Sequence, residues 1–123
     1  MKLRRRPEVL AIARLEAAAP WPGWALESPF AALTRTGEEL SLVVLAELVP
    51  AGIPCEAPWR ALQVAGPLDF ALVGILAELT GALAQAGISL FALSTFDTDY
   101  LLVKADRFEA ACDTLRAAGH EIL

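Results

Sequence analysis

Histidine occurs once in these 123 residues, and cysteine twice with no CxxC spacing. Cys55 and Cys112 therefore supply neither a disulfide framework nor a zinc site, and so sparing a use of thiols suits a reducing cytoplasm. His120 has no sequence companion that reads as a nucleophile or as an orienting partner, so it offers no catalytic base and is expected at the surface, opening an edge strand. Basic charge is also scarce. Ten Lys and Arg stand against fifteen Asp and Glu, a formal charge of −5, which argues against a general binder of nucleic-acid backbone. No apolar run approaches the roughly 20 residues a membrane helix needs. The opening MKLRRRPEVLAIARL has the basic start of a signal peptide, but Arg14 and Glu16 break its apolar stretch and no cleavage site follows. Neither a dinucleotide-binding nor a P-loop glycine pattern is present. The sequence thus implies no cofactor, no metal, no nucleic acid and no membrane.

What is present is apolar: 56% of the residues, with 20% charged, a composition that folds as one domain or as two very small ones sharing a core. The first half shows strand signals at 8–15, 30–36 and 40–45, with the basic cluster Lys2, Arg4, Arg5, Arg6 as a solvated lead-in. Pro20, Pro22 and Gly23 stop any helix that the preceding alanines begin. Thr36 and Glu39 have capping-box spacing, yet the strand pattern resumes at Leu40, so only a turn is expected there. The linker candidate is PAGIPCEAP, 50–58, which holds Cys55.

The second half is more regular. A strand at 59–65 ends at Gly66-Pro67. Leu72, Leu76, Leu79 and Leu83 give one helical stripe over 68–85, stopped by Gly87. Strands follow at 88–96 and 100–105, leaving only Phe96–Asp99 to turn between them. Asp106 and Glu109 repeat the capping pattern before a helix whose Phe108, Cys112 and Leu115 share one side, and HEIL, 120–123, makes a last edge strand. Residues 59–123 therefore read β-α-β-β-α-β, the ferredoxin-like α+β order, with both helices on one sheet face and the strands at 59–65 and 88–95 in the centre. Phe91 and Leu93 alternate with Ile88, Leu90 and Phe96, so both faces of that sheet are apolar. The N-terminal half or another subunit must cover the second one.

Two stretches are candidates for chemistry. In STFDTDYLLVK, 94–104, Asp97 and Asp99 are open to three roles: turn formers, the edge of a ligand pocket, or a cation or acid–base pair. Turn formation is the most economical, since Asp and Thr side chains bond local amides and no third ligand lies nearby. In GPLDFALVG, 66–74, a strand-to-helix turn has free helix N–H groups that suit an anion, unless Asp69 caps them itself.

Three separated motifs, TRTGEELSLV, GPLDFALVGILAEL and ISLFALSTFDTDYLLVK, occur in an order and spacing that closely resembles the ACT-domain proteins related to the CASTOR arginine sensors, in their small stand-alone bacterial form. The resemblance runs from about Phe30 to the C-terminus. It implies a full ACT domain at 57–123 with a reduced ACT-like half at 1–56 packed on it, and amino-acid sensing or regulation without catalysis. It also implies a small-molecule ligand, an amino acid, held by Gly66, Pro67, Leu68, Asp69, Phe70 and Gly74 with Ser94, Thr95 and Asp99. The sensors have four modules where this chain has room for two, so a homodimer or larger homo-oligomer is expected to complete the pocket.

Overall fold

The computed structural model describes residues 1–65 and 73–123. In chain order the elements are β1 (Lys2–Arg5), β2 (Leu10–Leu15), a one-turn α1 (Gly23–Leu26), β3 (Ala32–Arg35), β4 (Leu40–Leu45), β5 (Cys55–Val64), α2 (Ile75–Gln85), β6 (Phe91–Ser94), β7 (Asp99–Lys104), α3 (Phe108–Ala117) and β8 (Glu121–Ile122). They form two compact units, Met1–Pro7 with Arg60–Leu123, and Glu8–Trp59. The first seven residues thus group with the C-terminal unit, where a division at 56/57 would leave them in the other.

In the Glu8–Trp59 unit, β2 pairs antiparallel with β4 over its whole length, and β4 pairs with β3. The N-terminal half of β5 lies on the other side of β2, with Ala13 opposite Cys55. This extends the expected 59–65 strand back into the proline-rich 50–58 stretch: a free edge on β2 gives those backbone groups partners that composition does not reveal. Period-two alternation buries Ala13, Leu40 and Leu42 in one core, with Leu15, Trp24, Leu33, Val49 and Ile53 packed against it. Thr36 Oγ accepts the amide hydrogens of Glu38 and Glu39 at 3.1 and 3.2 Å, so the capping pair closes the β3–β4 turn and opens no helix. The alanines at 17–19 form no helix, and Pro22 then precedes the one-turn α1 as its N-cap.

In the other unit the strand pairings run β6, β7, β5, β1, β8. β1 is antiparallel to β5, with Leu3 opposite Val64, and parallel to β8, with Lys2 opposite Glu121. It therefore stands between the first and last strands of the βαββαβ unit. The expected lead-in is a strand because Leu3 is fully buried there and both of its edges find partners. The 88–96 strand is shorter than expected and, among the described residues, pairs only with β7, so it lies at an edge; β7 and β1 flank β5 in the interior.

Both helices cover one face, as the crossovers require. Leu3, Leu62, Val64, Leu101 and Val103 of the strands share a core with Leu79 and Leu83 of α2 and with Phe108, Ala111, Cys112 and Leu115 of α3. Ala61 and Leu102, which alternate with those strand residues, are fully buried too. The helix expected over 68–85 begins at Ile75: its N-cap is Gly74, at φ +80°. Leu72 and the Asp69 cap lie outside the described residues. α3 likewise starts at Phe108 with no side-chain cap, because Ala105–Arg107 form a 3₁₀ turn that absorbs the Asp106–Glu109 pattern.

Candidate functional site

The β6–β7 hairpin is where the sequence concentrates short polar side chains beside apolar strands. Ser94 ends β6 and stands opposite Asp99, the first residue of β7. The Ser94 hydroxyl donates to Asp99 Oδ1 at 2.6 Å, a charge-assisted bond that fixes the carboxylate at the mouth of the hairpin. Thr95 and Thr98 close the turn between them. The Thr95 amide donates to the Thr98 carbonyl at 2.8 Å, and the Thr98 amide donates to Thr95 Oγ at 3.2 Å. Phe96 stands at the tip with 82% of its surface exposed. Asp97 lies in the bend between β6 and β7, while Asp99 starts the next strand.

Thr98 is the residue whose importance the sequence concealed. It is 5% exposed, and its hydroxyl donates to the Val64 carbonyl at 2.5 Å. Val64 is the last residue of β5. A threonine in a turn reads as a local backbone bonder; nothing in the motif shows that its partner is 34 residues away.

Of the expected ligand residues, Ser94, Thr95 and Asp99 come together in this one hairpin. Gly74 stands at the head of α2, where its carbonyl accepts the Glu78 amide at 2.9 Å. Gly66, Pro67, Leu68, Asp69 and Phe70 lie outside the described residues. Among the described residues no cluster of His, Cys, Asp and Glu is arranged to hold a metal ion, and no helix is long and apolar enough to cross a membrane.

Three further polar sites lie among the described residues. His120, expected at the surface, is buried: its Nδ1 lies 3.1 Å from the Met1 amino group and its Nε2 3.6 Å from Glu78 Oε1. Two partners distant in sequence, the start of β1 and the α2 helix, enclose it, so no local pattern could place it inside. Arg5 and Arg60 lie 5.3 and 4.5 Å from the centroid of the buried Phe108 ring, and Arg5 pairs with Glu109. In the Glu8–Trp59 unit an open groove of about 420 Å³ is lined by residues that include Arg14, Ser41, Glu56 and the exposed Cys55. Arg14 is engaged by the protein itself, donating to Glu16 Oε1 and to the Glu38 carbonyl.

The family model of the ACT domain matches residues 55–117, half of the chain. The chain belongs to the ACT-domain family. A second family model, described only as an N-terminal domain, matches residues 8–52 of this ACT protein. A crystal structure of a protein from Agobacterium tumefaciens is similar over 99% of this chain and 91% of its own, at 37% identity and a TM-score of 0.93. The regulatory subunit of aspartate kinase from Thermus flavus shares the fold at 13% identity, TM-score 0.64, over 94% of this chain and 95% of its own. The human cytosolic arginine sensor for mTORC1 subunit 1 is 39% identical over 59 residues, 47% of this chain. That match spans 18% of the sensor's length, so this ACT protein corresponds to a small part of it. The architecture is the ferredoxin-like α+β fold of the family, with β1 inserted in its sheet.

Proposed function

We propose that this ACT protein is a regulatory module that binds a small molecule, an amino acid, and carries out no reaction of its own. The observation behind this is the Asp99 carboxylate, held by Ser94 at the mouth of a hairpin that is bonded to the end of β5. A carboxylate fixed in that way suits an ammonium or guanidinium group. Similarity to an arginine sensor supports the same ligand chemistry. The proposed pocket joins Gly66, Pro67, Leu68, Asp69, Phe70 and Gly74 to Ser94, Thr95 and Asp99, in a cytoplasmic protein of the small bacterial tandem-ACT type whose residues 1–56 form the reduced half and 57–123 the full domain. A homodimer or larger homo-oligomer would complete it.

A thermal-shift screen against the amino acids tests this reading. A true ligand at a hundred times its dissociation constant adds about 2.7 kcal/mol to stability, a clear rise in melting temperature for so small a domain. A flat screen, repeated at high concentration, would instead favour a protein-interaction module with a vestigial pocket. That alternative is supported by Val73 and Phe96, apolar residues that are 90% and 82% exposed.

A further inference from the structure

We infer that Thr98 is the positioning residue of the candidate site: its buried hydroxyl latches the β6–β7 hairpin to the end of β5, and so sets where the Asp99 carboxylate is presented. The inference rests on the reading of the hairpin as one wall of a ligand site. Hairpin tips held only by their own turn bonds are mobile, because nothing outside the turn resists their swing. Here one residue does two jobs. The Thr98 backbone closes the turn with Thr95 through its amide and its carbonyl, and the Thr98 hydroxyl reaches out of the turn to Val64. Both Thr98 and Val64 are buried, so the bond between them is shielded from competing water.

Asp99 follows Thr98 directly, and Ser94 holds its Oδ1 across the hairpin. Any movement of Thr98 therefore carries the carboxylate with it. Binding constellations tolerate displacements of only about half an ångström before they lose function. Ser94 and Asp99 would be the contact pair and Thr98 the residue that aims them. Among the described residues Thr95 bonds to Thr98 within the hairpin, as a turn closer.

The test compares Thr98→Val, which removes the hydroxyl at constant shape, with Thr98→Ser, which keeps it. Amide hydrogen exchange on the full chain reads the latch without any ligand. In Thr98→Val the Thr95 and Thr98 amides should lose protection while those of Leu101–Val103 in β7 keep theirs, and Thr98→Ser should restore the parent pattern. Calorimetric titration with L-arginine, well below the melting temperature, reads the consequence. Thr98→Val should bind roughly 10- to 100-fold more weakly, equivalent to one lost charge-assisted bond, and Thr98→Ser should bind like the parent. A parent that ignores L-arginine counts against the ligand reading alone, since the exchange data still decide the latch. Unchanged exchange at Thr95 and Thr98 in Thr98→Val overturns the latch. Lost protection with parent-like L-arginine affinity overturns the positioning role. Should Thr98→Val not fold, Thr98→Ser carries the test: if it departs from the parent in exchange or affinity, the methyl group rather than the hydroxyl does the work, and the inference fails.

Discussion

Asp99 is half-buried at the head of β7, and its structural work is one hydrogen bond from an exposed serine across the hairpin. Replacing it with alanine should therefore cost stability about 1 kcal/mol or less, while binding of a cationic or amino ligand should fall by about 1.5–3 kcal/mol. Melting temperatures with and without the strongest screening hit separate the two effects; equal ligand shifts in Asp99→Ala and the parent would assign Asp99 to the turn alone. The two thiols should differ as sharply. Burial raises the Cys112 thiol above its ordinary value of 9.0, with Arg5 opposing the shift less strongly. At pH 8 a thiol reagent should titrate only the exposed Cys55, and Cys112 only after unfolding; two rapid equivalents from the native protein would contradict this. The raised value also has a sign. Below the unfolded value both states hold the proton and the contribution is fully present; above it only the unfolded chain ionises readily, so stability is lost as pH rises past about 9. Cys112→Ala should remove that alkaline loss relative to the parent. The burial of Cys112 was legible, because helical spacing with Phe108 and Leu115 sufficed. The burial of His120 was not, since its enclosure comes from residues 119 and 42 positions away in the chain.

At the scale of elements, two glycines of α2 make opposed predictions. Gly74 caps the helix at φ +80°, and a Cβ there would meet nothing within 4 Å. Gly74→Ala should thus cost about 1–2 kcal/mol for backbone conformation alone. Gly81 lies exposed inside the same helix, equally open but in an ordinary conformation, so Gly81→Ala should stabilise by about 0.5–1 kcal/mol. Chemical denaturation of both variants checks the pair, and a destabilised Gly81→Ala would show that α2 is held differently. The sequence placed nearly every strand and both long helices, because period-two and 3.6-residue apolar patterns are local properties. Strand order escaped it. The apolar run at 88–95 was expected at the centre, yet its strand, Phe91–Ser94, lies at an edge among the described residues, and β1 looked solvated because three arginines and a lysine surround Leu3. Pairing with β5 and β8 brings that leucine into the core beneath α2 and α3.

For the whole molecule, each compact unit draws on strands that a simple cut would separate. A fragment of residues 1–56 keeps β1 without β5 or β8, and retains only the first two residues of β5 beside β2. It should be unfolded or aggregated by circular dichroism, and a cooperative melt from it would sink this expectation. Residues 60–123 alone lack β1 and so lose Leu3 from the core and the partner of β8; they too should not melt cooperatively. Light scattering of the full chain should give twice the 13.1 kDa chain mass or more, consistent with an edge strand at β6 and exposed apolar residues. A mass of one chain at micromolar concentration would mean that every apolar face is covered internally. The place of β1 between β5 and β8 also sets a clock. On a ribosome adding about 5–20 residues per second, Leu3 is made well before Glu121 and waits roughly 6–24 s for the parallel partner that begins there. During that interval the nascent unit can assemble β5 to β7 and two helices, but its sheet has a vacant margin. A strand made early in this unit is sealed in place by one made about 120 residues later.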